Sequence, residues 1–156
     1  MNPDARARIS SASRIVVKVG SSSLTRPGGG LDVGRIEALV AQIAGRHGAG
    51  HQVVISTGDK DLAQLVNERV TLINTMSNER LDIAGVVAKF GVAPDRIIDY
   101  LTLIGDTVDN VPGVDKVGPK TAVKWLAEHG SLDGVMAAAA SIKGVAGENL
   151  RKALDW

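Results

Sequence analysis

Residues 51–62 read HQVVISTGDKDL, and the fold turns on the run Val53-Val54-Ile55. Three consecutive β-branched residues followed by Ser-Thr-Gly read as a buried strand that breaks into a loop. That loop delivers Asp59 and Asp61 close to the start of the next element. Upstream, RIVVKVG at 14–20 has the same character, and Gly20 opens the polar, glycine-rich stretch GSSSLTRPGGG. Asp32 can cap a helix whose apolar positions Ile36, Leu39, Val40 and Ile43 recur at helical spacing. The glycines of GRHGAGH end that helix before Val53. Strand, helix and strand at these lengths predict a parallel crossover.

Downstream of the strand, DLAQLV at 61–66 predicts a short helix and RVTLINT at 69–75 a third strand. The remainder reads as helical. DIAGVVAKFG at 82–91 places Val86, Val87 and Phe90 on one face, and Pro94 starts a helix carrying Ile97, Ile98, Leu101 and Ile104. NVPGVDKVGPKTAVKWLAEHG at 110–130 is two helix ends joined by a Gly/Pro-rich hairpin. Ser131 can cap a further helix, and ENLRKALDW closes the chain. The expected fold class is α/β, a small parallel three-stranded sheet flanked by helices, with a C-terminal helix-hairpin-helix subdomain. The expected organisation is a flexible tail at 1–13, an α/β domain at 14–109 and the helix-hairpin-helix subdomain at 110–156.

The chain has 156 residues, 44% of them hydrophobic and 22% charged, with a net charge of +1. That describes an ordinary globular protein, neither disordered nor strongly basic, and net charge alone does not announce nucleic acid. Residues 1–50 carry seven Lys/Arg against three Asp/Glu, while 51–156 carry eleven against fourteen, so the two parts differ in charge. With no cysteine there is no disulfide framework and no thiolate metal site, which suits a reducing compartment. No run approaches the roughly 18 apolar residues of a membrane span. The opening MNPDARARISSASR lacks an apolar segment of the secretory kind, and a cytoplasmic location is expected.

RIVVKVGSSSLT followed by GLDVGRIEALVAQIAGRHGAGHQVVI, about residues 13–55, resembles the opening βαβ unit of the amino acid kinase family, most closely glutamate 5-kinase. The resemblance places Lys18, Gly20, Ser21 and Ser22 in a loop that approaches the transferred phosphate. Loop amides and hydroxyls can cradle phosphate oxygens beside a compensating Lys. From about 52 to 156 the chain instead resembles the 5′-nuclease domain of bacterial DNA polymerase I, carried by STGDKDLAQLV, LIGDTVDNVPGV and VGPKTAVKWL in that order. Two resemblances meeting near 51–57 imply a chimera, engineered or otherwise recombined. The kinase family's substrate-binding and nucleotide-binding segments are not recognisable, so Lys18 reads best as a charged strand-end residue, and no kinase activity is expected.

The nuclease resemblance implies that Asp59, Asp61, Asp106 and Asp109 bind Mg²⁺ or Mn²⁺, weakly here. Asp106 and Asp109, three apart, would share one face of a helical turn. Converging carboxylates repel one another, so such a cluster makes sense around a cation; taken singly, each acid reads as a cap or a solvated surface charge. The resemblance also assigns Gly113, Lys116, Gly118, Lys120, Thr121 and Lys124 to a helix-hairpin-helix that binds duplex or branched DNA, with K⁺ held on hairpin carbonyls. Two-metal hydrolysis needs acids on both sides, and Lys18 stands where the first strand would supply one. The expected function is therefore non-specific DNA-backbone and weak metal binding with little or no turnover. The rival readings are an active metal-dependent 5′-3′ exonuclease or flap endonuclease, and a chimera that only folds. Apolar surface bared by truncation makes a homodimer a candidate assembly.

Overall fold

The computed structural model describes residues 14–17, 33–50 and 52–154. The tail at 1–13 and the loop residues Lys18, Gly20, Ser21 and Ser22 lie outside the described residues. Two compact units divide the chain, Met1–Asp59 with Val66–Asp82, and Lys60–Leu65 with Ile83–Trp156. The division after Asp82 differs from the expected boundary at 109/110. Residues 83–109 pack with the helical hairpin that follows them.

In the first unit, β1 (Arg14–Val17) leads through helix α1 (Val33–Gly48) to β2 (Gln52–Ser56), β3 (Val70–Asn74) and β4 (Glu79–Leu81). The sheet order is β1-β2-β3-β4. Strands β1 and β2 are parallel, with Val17 opposite Ile55, and β2 and β3 are parallel, with Val53 opposite Val70. The expected parallel trio is present. A fourth strand makes the sheet mixed, because β4 pairs antiparallel to β3 with Leu72 opposite Leu81. Its three residues, Glu-Arg-Leu, have no apolar run to announce them. The turn before it is built by Asn74, whose Oδ1 accepts the Met76 N–H at 3.0 Å, and by Asn78 at φ 55°. Val53, Val54, Val70 and Leu72 are buried, as β-branched and apolar runs require.

The second unit is helical. A 3₁₀ turn at Asp61–Leu65 is followed by α2 (Ile83–Phe90), a 3₁₀ turn at Pro94–Arg96 that runs into α3 (Ile97–Ile104), then α4 (Pro119–His129), α5 (Leu132–Ala137) and α6 (Val145–Ala153). Helix α3 packs on α4 and on the 3₁₀ turn at Asp61–Leu65, and α4 packs on α5. Ile97, Leu103, Ala122, Trp125, Leu126 and Val135 form its core. Ser131 caps α5 as expected, its Oγ accepting the Gly134 N–H at 3.2 Å. Two expectations are corrected. Val87 and Ile98 are exposed, at 44% and 55%, because each follows a fully buried residue, Val86 or Ile97, by about 100° of helix rotation. Pro94 starts a 3₁₀ turn rather than the α-helix itself. Among the described residues, no helix is long and apolar enough to cross a membrane.

Candidate metal centre and nucleic-acid interface

Asp61 opens the 3₁₀ turn at Asp61–Leu65. Asp106 and Asp109 come from the loop after α3, where Gly105, at φ 81° and ψ 164°, ends the helix. Asp106 and Val111 then exchange two backbone hydrogen bonds of 2.8 Å each. Asp106 Oδ1 accepts the Val108 N–H at 3.0 Å, and Asn110 turns back at φ 57°. This corrects the helical turn expected at 106–109. The helix has already stopped at Gly105, and a small closed loop sets the two acids instead.

Carboxylate oxygens of Asp61, Asp106 and Asp109 lie within 4.8 Å of one another. Asp59 belongs to the first unit, where its N–H donates to Thr57 Oγ1 at 3.0 Å. The three gathered acids line a cavity of about 180 Å³ with Gln64, Leu101 and Thr102. Hard oxygen donors converging on a small space suit Mg²⁺ or Mn²⁺.

One residue of the acidic centre escaped the sequence reading. Lys60 Nζ lies 2.6 Å from Asp106 Oδ2, with the lysine side chain 42% exposed and the aspartate 5%. The Lys60 hydrogen bond, helped by the Val108 N–H, holds the Asp106 carboxyl below its ordinary value. The same hydrogen bond, reinforced by the charges of Asp106, Asp61 and Asp109, raises the Lys60 ammonium. The fold therefore already places a cation against these carboxylates. The only sequence signal was the position of Lys60 between two acids in GDKD.

A pH dependence follows. The lowered Asp106 stabilises the fold fully above its ordinary value of 3.8, and this contribution disappears as pH falls through the lower folded value. The raised Lys60 contributes fully below 10.5, and its share disappears as pH rises through the higher folded value. Urea unfolding across pH should show both arms in the parent and weaker ones in Lys60→Met. Identical profiles would refute the pairing.

In the hairpin between α3 and α4, the two glycines have different reasons. Gly113 is buried at φ 68°, and a Cβ there would sit 2.5 Å from Gly105 N and 2.6 Å from Ile104 C. It lets the chain turn tightly and two backbone segments touch. Gly118 has φ −102° and ψ −179° at the N-cap of α4. A Cβ there would meet nothing within 4 Å, so internal packing does not require a glycine. Pro119 follows as the first helical residue, and the Thr121 and Ala122 N–H groups both bond to the Gly118 carbonyl at 3.0 Å. Lys116, Lys120 and Lys124 are exposed, and Lys124 Nζ lies 3.8 Å from Glu128.

Residues 92–156 match the family described as 5'-3' exonuclease, C-terminal SAM fold. DNA polymerase I of Pseudomonas aeruginosa is 62% identical over 78 residues, 50% of this chain and 8% of that protein. DNA polymerase I of Mycobacterium leprae is 38% identical over 118 residues, 72% of this chain and 13% of that protein. The pseudo-enzyme–product complex of bacteriophage T5 D15 flap endonuclease with DNA and metal ions has a TM-score of 0.66 at 18% identity, covering 76% of this chain and 45% of that one. That likeness is one of fold. The chain thus spans about a tenth of the length of the polymerases it matches. Residues 92–156 are similar to the C-terminal SAM fold of 5'-3' exonucleases.

The same matches bear on the chimera. Coverage of 72% of 156 residues is about 112 residues, more than the 105 from 52 to the C-terminus. The polymerase similarity therefore reaches residue 45 or earlier, inside the stretch that resembles glutamate 5-kinase. The matches give no support to a kinase part or to a crossover at 51–57.

Proposed function

We propose, from the C-terminal fold shared with the 5'-3' exonucleases, that the protein grips the backbone of duplex or branched DNA through residues 111–126 and holds Mg²⁺ or Mn²⁺ weakly at Asp61, Asp106 and Asp109. The observation that carries the reading is Gly118. Its missing side chain leaves the start of α4 open where neither the backbone angle nor a packed neighbour asks for glycine. Such an opening admits a phosphate oxygen toward the Lys120 N–H at the helix start, the Thr121 and Ala122 N–H groups being taken by the Gly118 carbonyl, with the Lys116 and Lys120 side chains beside it as charge and K⁺ on the hairpin carbonyls as a further support.

At the acidic centre, the chain's own residues supply oxygens that attract a hard cation, and the Asp106–Val111 loop holds two of those oxygens in register. A divalent metal, when bound, would neutralise phosphate charge. Three described acids on one centre fall short of the two-sided set that hydrolysis uses, so turnover is expected to be absent or slight. A flap-substrate assay in Mn²⁺ tests the rival reading of an active nuclease. No step of the proposal uses Lys18, Gly20, Ser21 or Ser22, and sedimentation velocity decides between monomer and homodimer.

The test of DNA binding is a salt titration in fixed Mg²⁺, read by fluorescence anisotropy of a labelled duplex. Affinity should fall with NaCl at a slope set by about two to four phosphates. Lys120→Ala should flatten that slope by about one, and Gly118→Val should weaken binding further while leaving the melting temperature near the parent's. Equal binding by all three proteins would reduce the hairpin to a connector. Replacing Na⁺ by K⁺ at constant ionic strength should tighten binding if the hairpin carbonyls hold K⁺.

A further inference from the structure

We propose that Lys60 is the resident counter-ion of the acidic centre and competes with the divalent metal for Asp106, so that metal binds only as the ammonium swings away. This rests on the proposed metal site at Asp61, Asp106 and Asp109 and deepens it by naming what regulates its occupancy.

Asp106 is the only buried charged residue among those described, and it is enclosed with Lys60 Nζ at 2.6 Å from Oδ2 and the Val108 N–H on Oδ1. A buried carboxylate needs such partners, because its charge would otherwise be lost to protonation. Oδ1 already accepts the Val108 N–H, and the ammonium sits on Oδ2, the oxygen left for a metal to share. A monovalent cation and a divalent one cannot both occupy that position at contact distance.

Two features make Lys60 displaceable rather than locked. Its side chain is 42% exposed, so the ammonium can leave for water at small cost. It is also tethered at the residue next to Asp61, so it stays within reach and returns when the metal leaves. A divalent ion interacts more strongly with three carboxylates than one ammonium does, which sets the direction of exchange at sufficient metal concentration. Without metal, the same lysine offsets the mutual repulsion of Asp61, Asp106 and Asp109 and keeps the loop closed. The device explains how a cluster of acids can fold before it is metallated.

The experiment is Mn²⁺ titration of the full chain by isothermal calorimetry, with melting temperature as a second readout. The variants are Lys60→Met, Lys60→Gln, Lys60→Arg, Lys143→Met and Asp106→Asn. Charge-assisted hydrogen bonds contribute enough that losing the competitor should tighten Mn²⁺ binding about tenfold. Lys60→Met should show this tightening, a lower melting temperature without metal and a larger rise on adding Mn²⁺. Lys60→Gln keeps an N–H donor for Asp106 and serves if Lys60→Met folds poorly; it should tighten binding in the same way. Lys60→Arg should bind as weakly as the parent. Lys143→Met removes an exposed charge elsewhere and should leave affinity unchanged.

Unchanged or weaker Mn²⁺ binding in both uncharged Lys60 variants, with binding lost in Asp106→Asn, would overturn the competition and leave the metal site standing. Tightening in Lys143→Met equal to that in Lys60→Met would also overturn it, as an effect of net charge. Parent-like binding in Asp106→Asn would overturn the metal site itself, and the competition with it.

Discussion

Gly113→Ala is expected to cost about 3 kcal/mol or more, enough to unfold the helical unit or leave it marginal. Two independent strains add. The backbone sits at φ 68°, where a side chain is disfavoured by about 1–2 kcal/mol. The new Cβ would also lie 2.5 Å from Gly105 N and 2.7 Å from Gly105 Cα, contacts with backbone that cannot rotate away. Gly105 is itself at φ 81° and begins the loop that carries Asp106, so the damage reaches the acidic centre. Gly118→Ala is the companion measurement. With φ −102° and no neighbour within 4 Å, it should stay within about 0.5 kcal/mol of the parent. Chemical denaturation of both proteins, followed by circular dichroism, checks the contrast. A parent-like midpoint for Gly113→Ala would mean that the hairpin packs differently from the structure.

Leu103→Ala should be the next most damaging change, at about 2–5 kcal/mol. Leu103 is fully buried, with 0% of its surface exposed, in the last turn of α3, and that helix packs on α4. Its carbonyl accepts the Val114 N–H at 2.9 Å, so the position ties the helix to the hairpin through both side chain and backbone. Truncation leaves a cavity where rigid neighbours cannot collapse, and the core loses apolar burial as well. Because α3 ends two residues before Asp106, the variant should also bind Mn²⁺ less tightly than its lost stability alone predicts. Ile98→Ala on the same helix is the internal comparison. Ile98 is 55% exposed, and its truncation should cost under about 1 kcal/mol. Equal losses in the two variants would contradict the burial of α3.

The reading of the sequence reached the elements whose cause is local. Val53-Val54-Ile55 announced a buried strand through three β-branched residues in succession. RVTLINT announced its parallel neighbour, and Ser131 announced the start of α5 through its capping oxygen. Glycine and proline punctuated the hairpin correctly because they restrict the backbone wherever they stand. The short strand Glu79–Leu81 was missed, since three residues with two charges have no period and are placed by pairing with β3.

At the candidate centres the limit is of the same kind. The nuclease resemblance, carried by motif order, singled out Asp59, Asp61, Asp106 and Asp109, but not that Asp106 would be the buried one or that Lys60 would lie on it. Residues 60 and 106 are joined by Coulomb attraction across space, which no local pattern encodes. Nor could spacing distinguish Gly113, needed where the chain touches itself, from Gly118, which faces open space. The sequence by itself determined where the longer strands and helices and the hairpin lie, because those preferences belong to neighbouring residues. Only the tertiary structure decided which acid is enclosed, which cation answers it and which glycine faces open space, because burial, charge pairing and steric contact depend on residues far apart in the chain.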